Sequence, residues 1–351
     1  MSTTPALHPP RFSAKTVGLL AAVVTVLIWT SFIVIARASA DPARSPTLAP
    51  FDIVYARLWG AAIFLLPWGW WLTRRDLARQ REAGQVAQAG SFFGMSPLPL
   101  RLTVQVGFFG GLLYAMLAYW GFVFAPAAHA SVLMPGSLPL WTALLAILLL
   151  GTPVTAARAV GLACIVGGDL LVGGASLLHA FDGSGVWRGD LFFIAASMTW
   201  ATYSVLTRLH ALDAVRATIA ITAFGFFTFV PVYTVLTLAG WVQGHIWTAP
   251  VHDVVFQMFF QGVGSVVISG ITFTKMIQYY GPVRSTMITA LVPGLSALAA
   301  VVFLGEPLHW NLLAGLALVT VGILFGVHKT KPAHTATENI ADPAQKTGAG
   351  A

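Results

Sequence analysis

Long apolar runs separated by short polar stretches dominate the chain, and their number and length predict ten helices. Each run has about 20 residues, the length that an α-helix needs to cross the hydrocarbon layer of a bilayer. The sequence therefore predicts an all-α polytopic membrane protein. The predicted helices cover residues 16–36, 53–72, 102–124, 130–150, 157–174, 191–207, 217–239, 254–279, 283–304 and 310–327.

The second half of the chain repeats the first. When the sequence is shifted by 154 residues, residues 131–170 fall on residues 285–324. Matches at proline and glycine are the informative ones, because Ala and Leu match by chance in apolar sequence. We therefore predict two five-helix repeats, at 16–174 and 191–327. The matched pairs are Ser131 and Ser285, Pro139 and Pro293, Gly151 and Gly305, Pro153 and Pro307, Gly161 and Gly315, and Gly168 and Gly322.

The number of helices in each repeat sets the relation between the repeats. Because five is odd, the second repeat crosses the membrane in the opposite sense to the first. The prediction is ten transmembrane helices in two inverted repeats, an arrangement typical of secondary transporters. The other predicted segments are a disordered cytoplasmic tail at 1–15, a cytoplasmic loop at 73–101, a periplasmic linker at 175–190 and a disordered cytoplasmic tail at 328–351.

The end of the first helix raises the alternative of a cleaved signal peptide. Its Ala-Ser-Ala sequence at 38–40 resembles a signal-peptidase site. However, Trp-Thr-Ser-Phe at 29–32 is echoed by Trp-Ala-Thr-Tyr at 200–203 in the sixth helix. The first helix therefore has a counterpart in the repeat, and we expect it to be retained.

Composition supports a membrane protein, and charge sets its orientation. Only 9% of the residues are charged, whereas soluble domains carry about 25%. The net charge of +7 fits the positive-inside rule better than nucleic-acid binding, so no nucleic-acid partner is expected. With both termini in the cytoplasm, fourteen Lys and Arg residues lie on the cytoplasmic side and three outside. This predicts a multi-pass protein of the inner (plasma) membrane with both termini cytoplasmic.

Three short motifs resemble a known family. They are Leu-Gly-Glu-Pro at 304–307, Gly-Asp-Leu at 189–191 and Trp-Ala-Thr-Tyr-Ser at 200–204. Together with the duplicated five-helix unit, they resemble the EamA branch of the drug/metabolite transporters over about residues 17–327. The resemblance implies transport of a small metabolite through a cavity between the halves, lined by helices 1, 3, 4, 6, 8 and 9. Thr152 stands where the second half has Glu306, so any role of that glutamate belongs to one side only.

Proline interrupts helices 4 and 9 at corresponding positions. Proline removes a backbone hydrogen bond, and paired breaks in corresponding helices point to a transporter's midplane site. Pro139 and Pro293 are therefore the predicted hinges, and a packing kink is the alternative.

Aromatic and hydroxyl side chains near the breaks suit an amphiphilic metabolite, although an aromatic residue in a membrane helix more often packs in the core. The substrate-binding candidates are Trp29, Ser31, Tyr114, Tyr119, Ser137, Trp200, Tyr203, Lys275, Gln278 and Thr289.

Ionisable residues inside membrane helices are costly and are candidates for function. Lys275 is predicted either to extend its ammonium group to the cytoplasmic interface or to attract an anionic group at the inner mouth of the cavity. Asp169 either couples protons or is a partnered structural residue, and the second role is favoured. Arg57 is expected to be an interfacial anchor or a helix-packing partner, and a functional role is the alternative. His129 is expected to be solvated at the outer face.

The sequence has no motif for ATP hydrolysis and none for metal-dependent or nucleophilic catalysis. We therefore expect no enzyme activity, no cofactor and no metal.

The predicted function is secondary active transport of a small-molecule metabolite across the lipid bilayer by alternating access. Export is favoured, and a proton or counter-substrate is the candidate coupling partner. The alternative is a non-transporting membrane scaffold or a channel-like pore. A pore needs a continuous polar stripe, whereas helices 1, 4 and 9 present mostly Ala, Val and Leu.

Overall fold

The chain folds into helices throughout the residues that the computed structural model describes, which are 14–85, 90–151, 155–178, 185–289, 291–307 and 309–327. Ten long helices follow the predicted order. They are α1 (Ala14–Ala40), α2 (Pro50–Glu82), α3 (Leu100–Phe124), α4 (Ala127–Leu150), α5 (Ala156–Leu178), α6 (Val186–Leu209), α7 (Ala214–Leu238), α8 (Val251–Tyr280), α9 (Pro282–Leu304) and α10 (Trp310–Val327).

Seven of these helices, α1–α4 and α7–α9, are long and apolar enough to span a membrane. α6 carries Arg188, Asp190 and Arg208, which lower its apolarity. Within the described residues of α10, the apolar part, Trp310–Gly322, is short. The structure therefore confirms an all-helical protein with many apolar spans, and the count of ten membrane crossings remains a prediction.

Several helices extend beyond the predicted boundaries. α2 continues through the Arg-rich segment to Glu82, where a boundary at residue 72 was predicted. Arg, Gln, Glu and Leu favour helix whether or not lipid surrounds them, and the left-handed φ of Gly84, +63°, follows the end of the helix. Likewise, the predicted linker at 175–190 is too long, because α5 continues to Leu178 and α6 begins at Val186.

The helix contacts follow the symmetry of the repeat. α2 packs on its counterpart α7, α4 on α9, and α5 on α10. The contact of α1 with α9 is mirrored by that of α6 with α4, and the contact of α1 with α8 by that of α6 with α3. The two halves are therefore packed about a pseudo-two-fold axis.

The bundle has two ends, and equivalent helices of the two repeats run toward opposite ends. At one, called here the Glu306 end, the last turn of α1 reaches the residues after α9, and the first turn of α4 reaches the first turn of α6. At the other, the Asp76 end, the last part of α2 pairs with the start of α7 through Asp76 and Arg216, whose charged atoms are 2.6 Å apart. α1 runs toward the Glu306 end and its counterpart α6 runs away from it, so the repeats are inverted.

The predicted breaks in α4 and α9 are present and touch each other. Pro139 and Pro293 each lie at the start of a second helical segment, after a turn residue at Ser137 and Leu291. A Cβ built on Gly136 would lie 3.5 Å from the Pro293 side chain. The irregular parts of the two halves therefore meet near the pseudo-two-fold axis.

α3 and α8 also depart from α-helical geometry at corresponding positions. α3 is π-helical at Phe108–Leu112 and α8 at Met258–Ile268. A shift of 154 residues moves 108–112 to 262–266, inside the second segment. π-Helical turns often occur at functional sites, and these two flank the centre of the bundle.

Candidate functional site

Tryptophan rings from the two repeats meet in the centre of the bundle. Trp29 of α1 and Trp200 of α6 are equivalent in the repeat, and their ring centroids lie 5.7 Å apart in an edge-to-face arrangement. Tyr114 of α3 lies 4.7 Å from Trp200, and Phe273 of α8 lies 4.9 Å from Trp29. Such rings offer a large apolar surface together with a few polar atoms.

These rings form the wall of a narrow cavity of about 20 Å³ between α1, α3, α4 and α6, with room for about one water molecule. Its position agrees with that of the break in α4, because Met134 and Pro135 contribute to the wall and belong to the π-helical turn Val132–Gly136 just before that break. A site of this kind, mostly apolar with a few directed polar groups, is typical of small-molecule binding. The lining residues are Trp29, Phe32, Ile33, Tyr114, Met134, Pro135, Leu138, Ser197 and Trp200.

The polar atoms around the cavity are partly satisfied by each other. Ser137 donates to Ser197 Oγ at 3.0 Å and accepts from Trp141 Nε1 at 3.2 Å. Trp29 Nε1 donates to Ser269 Oγ at 3.3 Å. The buried Trp200 Nε1 has no hydrogen-bond partner among the residues that the structure describes. It is a donor that a ligand could use.

The other predicted candidates lie at varying distances from the cavity. Tyr119 and Tyr203 are fully buried, and Tyr203 forms a 2.8 Å hydrogen bond with Thr274. Thr289 is fully buried and donates to the Thr286 carbonyl. Ser31 is exposed in a groove between α1 and α9, on the outside of the central cavity.

Gln278 and Lys275 lie near the Asp76 end. Gln278 donates to the Leu212 carbonyl at 2.9 Å and lines a cleft of about 280 Å³ between α6 and α8. Lys275 is half-buried and has no carboxylate within ion-pair distance in the described ranges. The structure leaves both roles considered for Lys275 open to test.

Arg57 is placed differently from the expectation of an interfacial anchor. Its side chain is buried, 6% exposed, in the interior of the bundle. Nη1 donates to Tyr119 Oη at 3.5 Å, and Cζ lies 5.9 Å from the centroid of the Phe32 ring. Its position along α2, one to two turns from the start, suggested an interface, because the sequence does not tell which face of a wholly apolar helix points inward.

His129 and Asp169 also differ from the expectations. His129 is paired rather than solvated, because its Nδ1 lies 2.9 Å from Asp190 Oδ1. Asp169 was expected to be partnered, but its buried Oδ1 accepts no hydrogen bond from any described residue. It lies on α5, away from the residues that line the central cavity.

An ion-pair network joins several helices at the Glu306 end. Glu306, which follows α9, lies 3.4 Å from Arg37 Nε at the end of α1. Its two carboxylate oxygens also accept from the backbone N–H groups of Ala127 and Ala128, at 3.2 and 3.3 Å. These are the first amides of α4, where the helix dipole favours a negative charge. Glu306 thus connects α1, α4 and α9.

Arg37 makes further contacts at this end. It lies 3.3 Å from Asp41 and donates to the carbonyl of Phe122 at 2.7 Å. Arg44 donates to the carbonyl of Leu304 at 2.7 Å. The network therefore includes both halves of the protein, and it lies between the central cavity and the surface.

Comparison with known sequences supports the repeat. The profile of the EamA-like transporter family matches residues 16–174 and 187–327, one match for each half. The search of curated proteins finds no match.

A solved crystal structure of another protein shares the fold. It superposes with a TM-score of 0.55 at 21% identity, over 90% of this chain and 98% of that chain. At this identity the similarity concerns the fold alone.

Proposed function

Because the chain belongs to the EamA-like transporter family, we propose that it is a secondary active transporter of a small organic metabolite. It works across the cytoplasmic membrane by alternating access between its inverted halves, and its ten helices all cross the membrane. Export is the proposed direction, and a proton or counter-substrate supplies the energy. The observation that supports this best is the meeting of the α4 and α9 breaks beside an aromatic cavity.

The orientation proposed has both termini in the cytoplasm. Arg74 and Arg75 stack on the exposed rings of Trp70 and Trp71, at 5.0 and 5.3 Å. Tryptophan and arginine side by side are typical of a cytoplasmic membrane interface. From Pro50 to Trp70, α2 rises about 30 Å, which is the thickness of the hydrocarbon layer. The remaining turns of α2 then extend into the cytoplasm.

Transport is tested with the purified protein in proteoliposomes. A thermal-shift screen against a metabolite library first identifies ligands, because a ligand that binds the native state raises Tm. Each ligand is then used in counterflow, where labelled molecules accumulate only in vesicles preloaded with the unlabelled form. We expect counterflow in the wild type, and a loss of at least tenfold in Trp200→Ala. Trp310→Ala, which changes an exposed tryptophan on α10, is the matched control.

Two outcomes would favour the alternatives. Ion conductance without counterflow would indicate a channel-like pore. Ligand binding with neither conductance nor counterflow would indicate a scaffold that does not transport.

A further inference from the structure

Arg57 is a buried cation without an acidic partner. None of the carboxylates in the described ranges lies within 4.0 Å of its guanidinium, and its one hydrogen bond there is the long contact with Tyr119. A guanidinium has five N–H donors. Burying a charge is strongly unfavourable unless a partner compensates it, so an uncompensated arginine in this position requires an explanation.

Asp52, the carboxylate that is closest to Arg57 along α2, is occupied by other groups. Its Oδ1 accepts from Tyr233 Oη at 2.9 Å. Its Oδ2 accepts from the backbone N–H groups of Ala49 and His245, at 2.8 and 2.7 Å. Asp52 therefore stabilises the loop before α8 rather than the Arg57 charge.

The surroundings of Arg57 connect it to the central cavity. Arg57 lines a small cavity of about 10 Å³ with residues of α3, α7 and α8, among them Ala115. Tyr114, the neighbour of Ala115 in sequence, and Phe32, the ring beside the guanidinium, both line the central cavity. The cationic group thus lies next to the aromatic site, on the side toward α2.

A second unpartnered polar group lies at the same depth. Gln261 of α8 is fully buried, and neither atom of its amide has a hydrogen-bond partner among the described residues. The next residue, Gly262, packs directly on α2, since an added Cβ would lie 2.8 Å from the Arg57 carbonyl oxygen. Buried amides are normally hydrogen-bonded, so Gln261 leaves an unused donor on the part of α8 that packs on the Arg57 turn of α2.

We propose that Arg57 binds the anionic group of the transported molecule, so that the substrate is a small organic carboxylate whose apolar body occupies the aromatic cavity. This rests on the transport function proposed above. A carboxylate accepts two parallel N–H donors from one guanidinium. It supplies the negative charge that the protein does not place near Arg57. The Trp29 and Trp200 rings then contact the rest of the molecule.

One consequence can be measured without a ligand. A charge kept unpaired for a substrate lowers the stability of the empty protein, as functional sites commonly do. Arg57→Gln should therefore raise the Tm of the ligand-free protein in detergent, by a few degrees. Arg188→Gln, which removes an exposed arginine from α6, should leave Tm unchanged. A fall in Tm for both Arg57→Gln and Arg57→Lys would show that Arg57 is structural and would overturn the proposal.

The ligand experiment uses matched pairs in which only the charge differs. Benzoate and benzamide, and indole-3-acetate and indole-3-acetamide, are added with an open panel of aliphatic and aromatic carboxylates. We expect carboxylates to raise the wild-type Tm more than their amides. In Arg57→Gln this difference should disappear, in Arg57→Lys part of it should remain, and in Arg188→Gln it should be unchanged.

The other outcomes of these experiments reject either the carboxylate site or the transport function. The proposal is overturned if no carboxylate of the panel stabilises the wild type, if stabilisation persists in Arg57→Gln, or if Lys275→Gln alone removes it. Counterflow of a neutral ligand that is insensitive to Arg57 would support transport and reject the carboxylate. Carboxylates that bind through Arg57 without counterflow would keep the anion site and reject the transport function.

Discussion

The two ends of the bundle have equivalent helices but different charges. At the Glu306 end, Arg37 pairs with Glu306 at 3.4 Å. The repeat that puts Trp29 on Trp200 puts Arg37 on Arg208, at the Asp76 end. Arg208 is exposed beside the cleft that Gln278 lines and has no ion pair among the described residues. Glu306 corresponds to Thr152, which lies outside the described residues.

This difference in charge indicates how a carrier with inverted repeats comes to favour one of its two access states. The helix packing is nearly symmetric, so the two access states of a carrier built from it differ little in packing. The pair of Arg37 with Glu306 joins α1 to the end of α9, and the Asp76 end lacks its counterpart, although Asp76 and Arg216 join α2 to α7 there. The unmatched pair then favours closure of the Glu306 end. About 1.4 kcal/mol is enough to change a two-state ratio tenfold, and a few polar contacts can supply it.

The largest effect is expected from Glu306→Gln. The change removes the charge that Arg37 and the α4 amides share, contacts worth about 1.5–3 kcal/mol when a charged group is involved. It should open the Glu306 end. A cysteine at Met134 in the cavity wall, with Cys164 replaced by Ser, should react with an impermeant maleimide in intact cells about tenfold faster.

Two reference cysteines and one control variant fix the interpretation. Gly244→Cys should label in intact cells and Gln85→Cys should not, since these report the two ends directly. Asp253→Asn removes a carboxylate from the same end, where Asp253 accepts from Thr47 at 2.8 Å, and should leave labelling at Met134→Cys unchanged. Equal labelling of Met134→Cys with and without Glu306 would mean that the pair does not hold this end closed.

Much of this comparison was accessible from the sequence. The repeat and the helical fold follow from apolar run lengths and from proline and glycine at fixed spacing, because backbone constraints at these residues are local. The family came from a resemblance, carried by the motifs at 189–191, 200–204 and 304–307. The missing acid at Thr152 is also visible by alignment of the halves. By contrast, the partner of Glu306 was not predicted, since Arg37 lies 269 residues away in the chain and only packing brings them together.

The site was predicted less well than the fold, for a physical reason. Trp29, Tyr114 and Trp200 line the central cavity, whereas Ser31 faces a peripheral groove and Arg57 faces the interior. In a soluble helix the polar face identifies the surface. In α1 and α2 both faces are apolar, because lipid and protein interior favour the same side chains, so the sequence does not indicate which face lines the cavity.

A moderate effect is expected from the proline pair. Pro139→Ala and Pro293→Ala each remove the restriction at the break of one helix, and alanine is the better helix former. Because the halves are inverted, the two substitutions should shift access in opposite directions, each by about two- to tenfold. Labelling of Met134→Cys from outside and of Ile277→Cys in inside-out vesicles measures both shifts. If both variants shift access the same way, or both transport normally, the breaks are packing kinks rather than hinges.

The smallest effect, and the most specific, is expected from restoring the missing acid with Thr152→Glu. Arg208 is exposed, so a new pair with it is worth about 0.2–1 kcal/mol, which corresponds to a shift of about 1.4- to fivefold. Labelling of Ile277→Cys at the cleft should slow by this factor. Thr152→Gln, which has the shape of the introduced glutamate without its charge, should have no effect.

Combining Thr152→Glu with Arg208→Gln should return labelling to the rate of Arg208→Gln alone, because the interaction energy of a double-mutant cycle isolates the pair. Slower labelling that persists without Arg208 would show that the glutamate acts on something else, and the two ends would then differ by more than one missing charge.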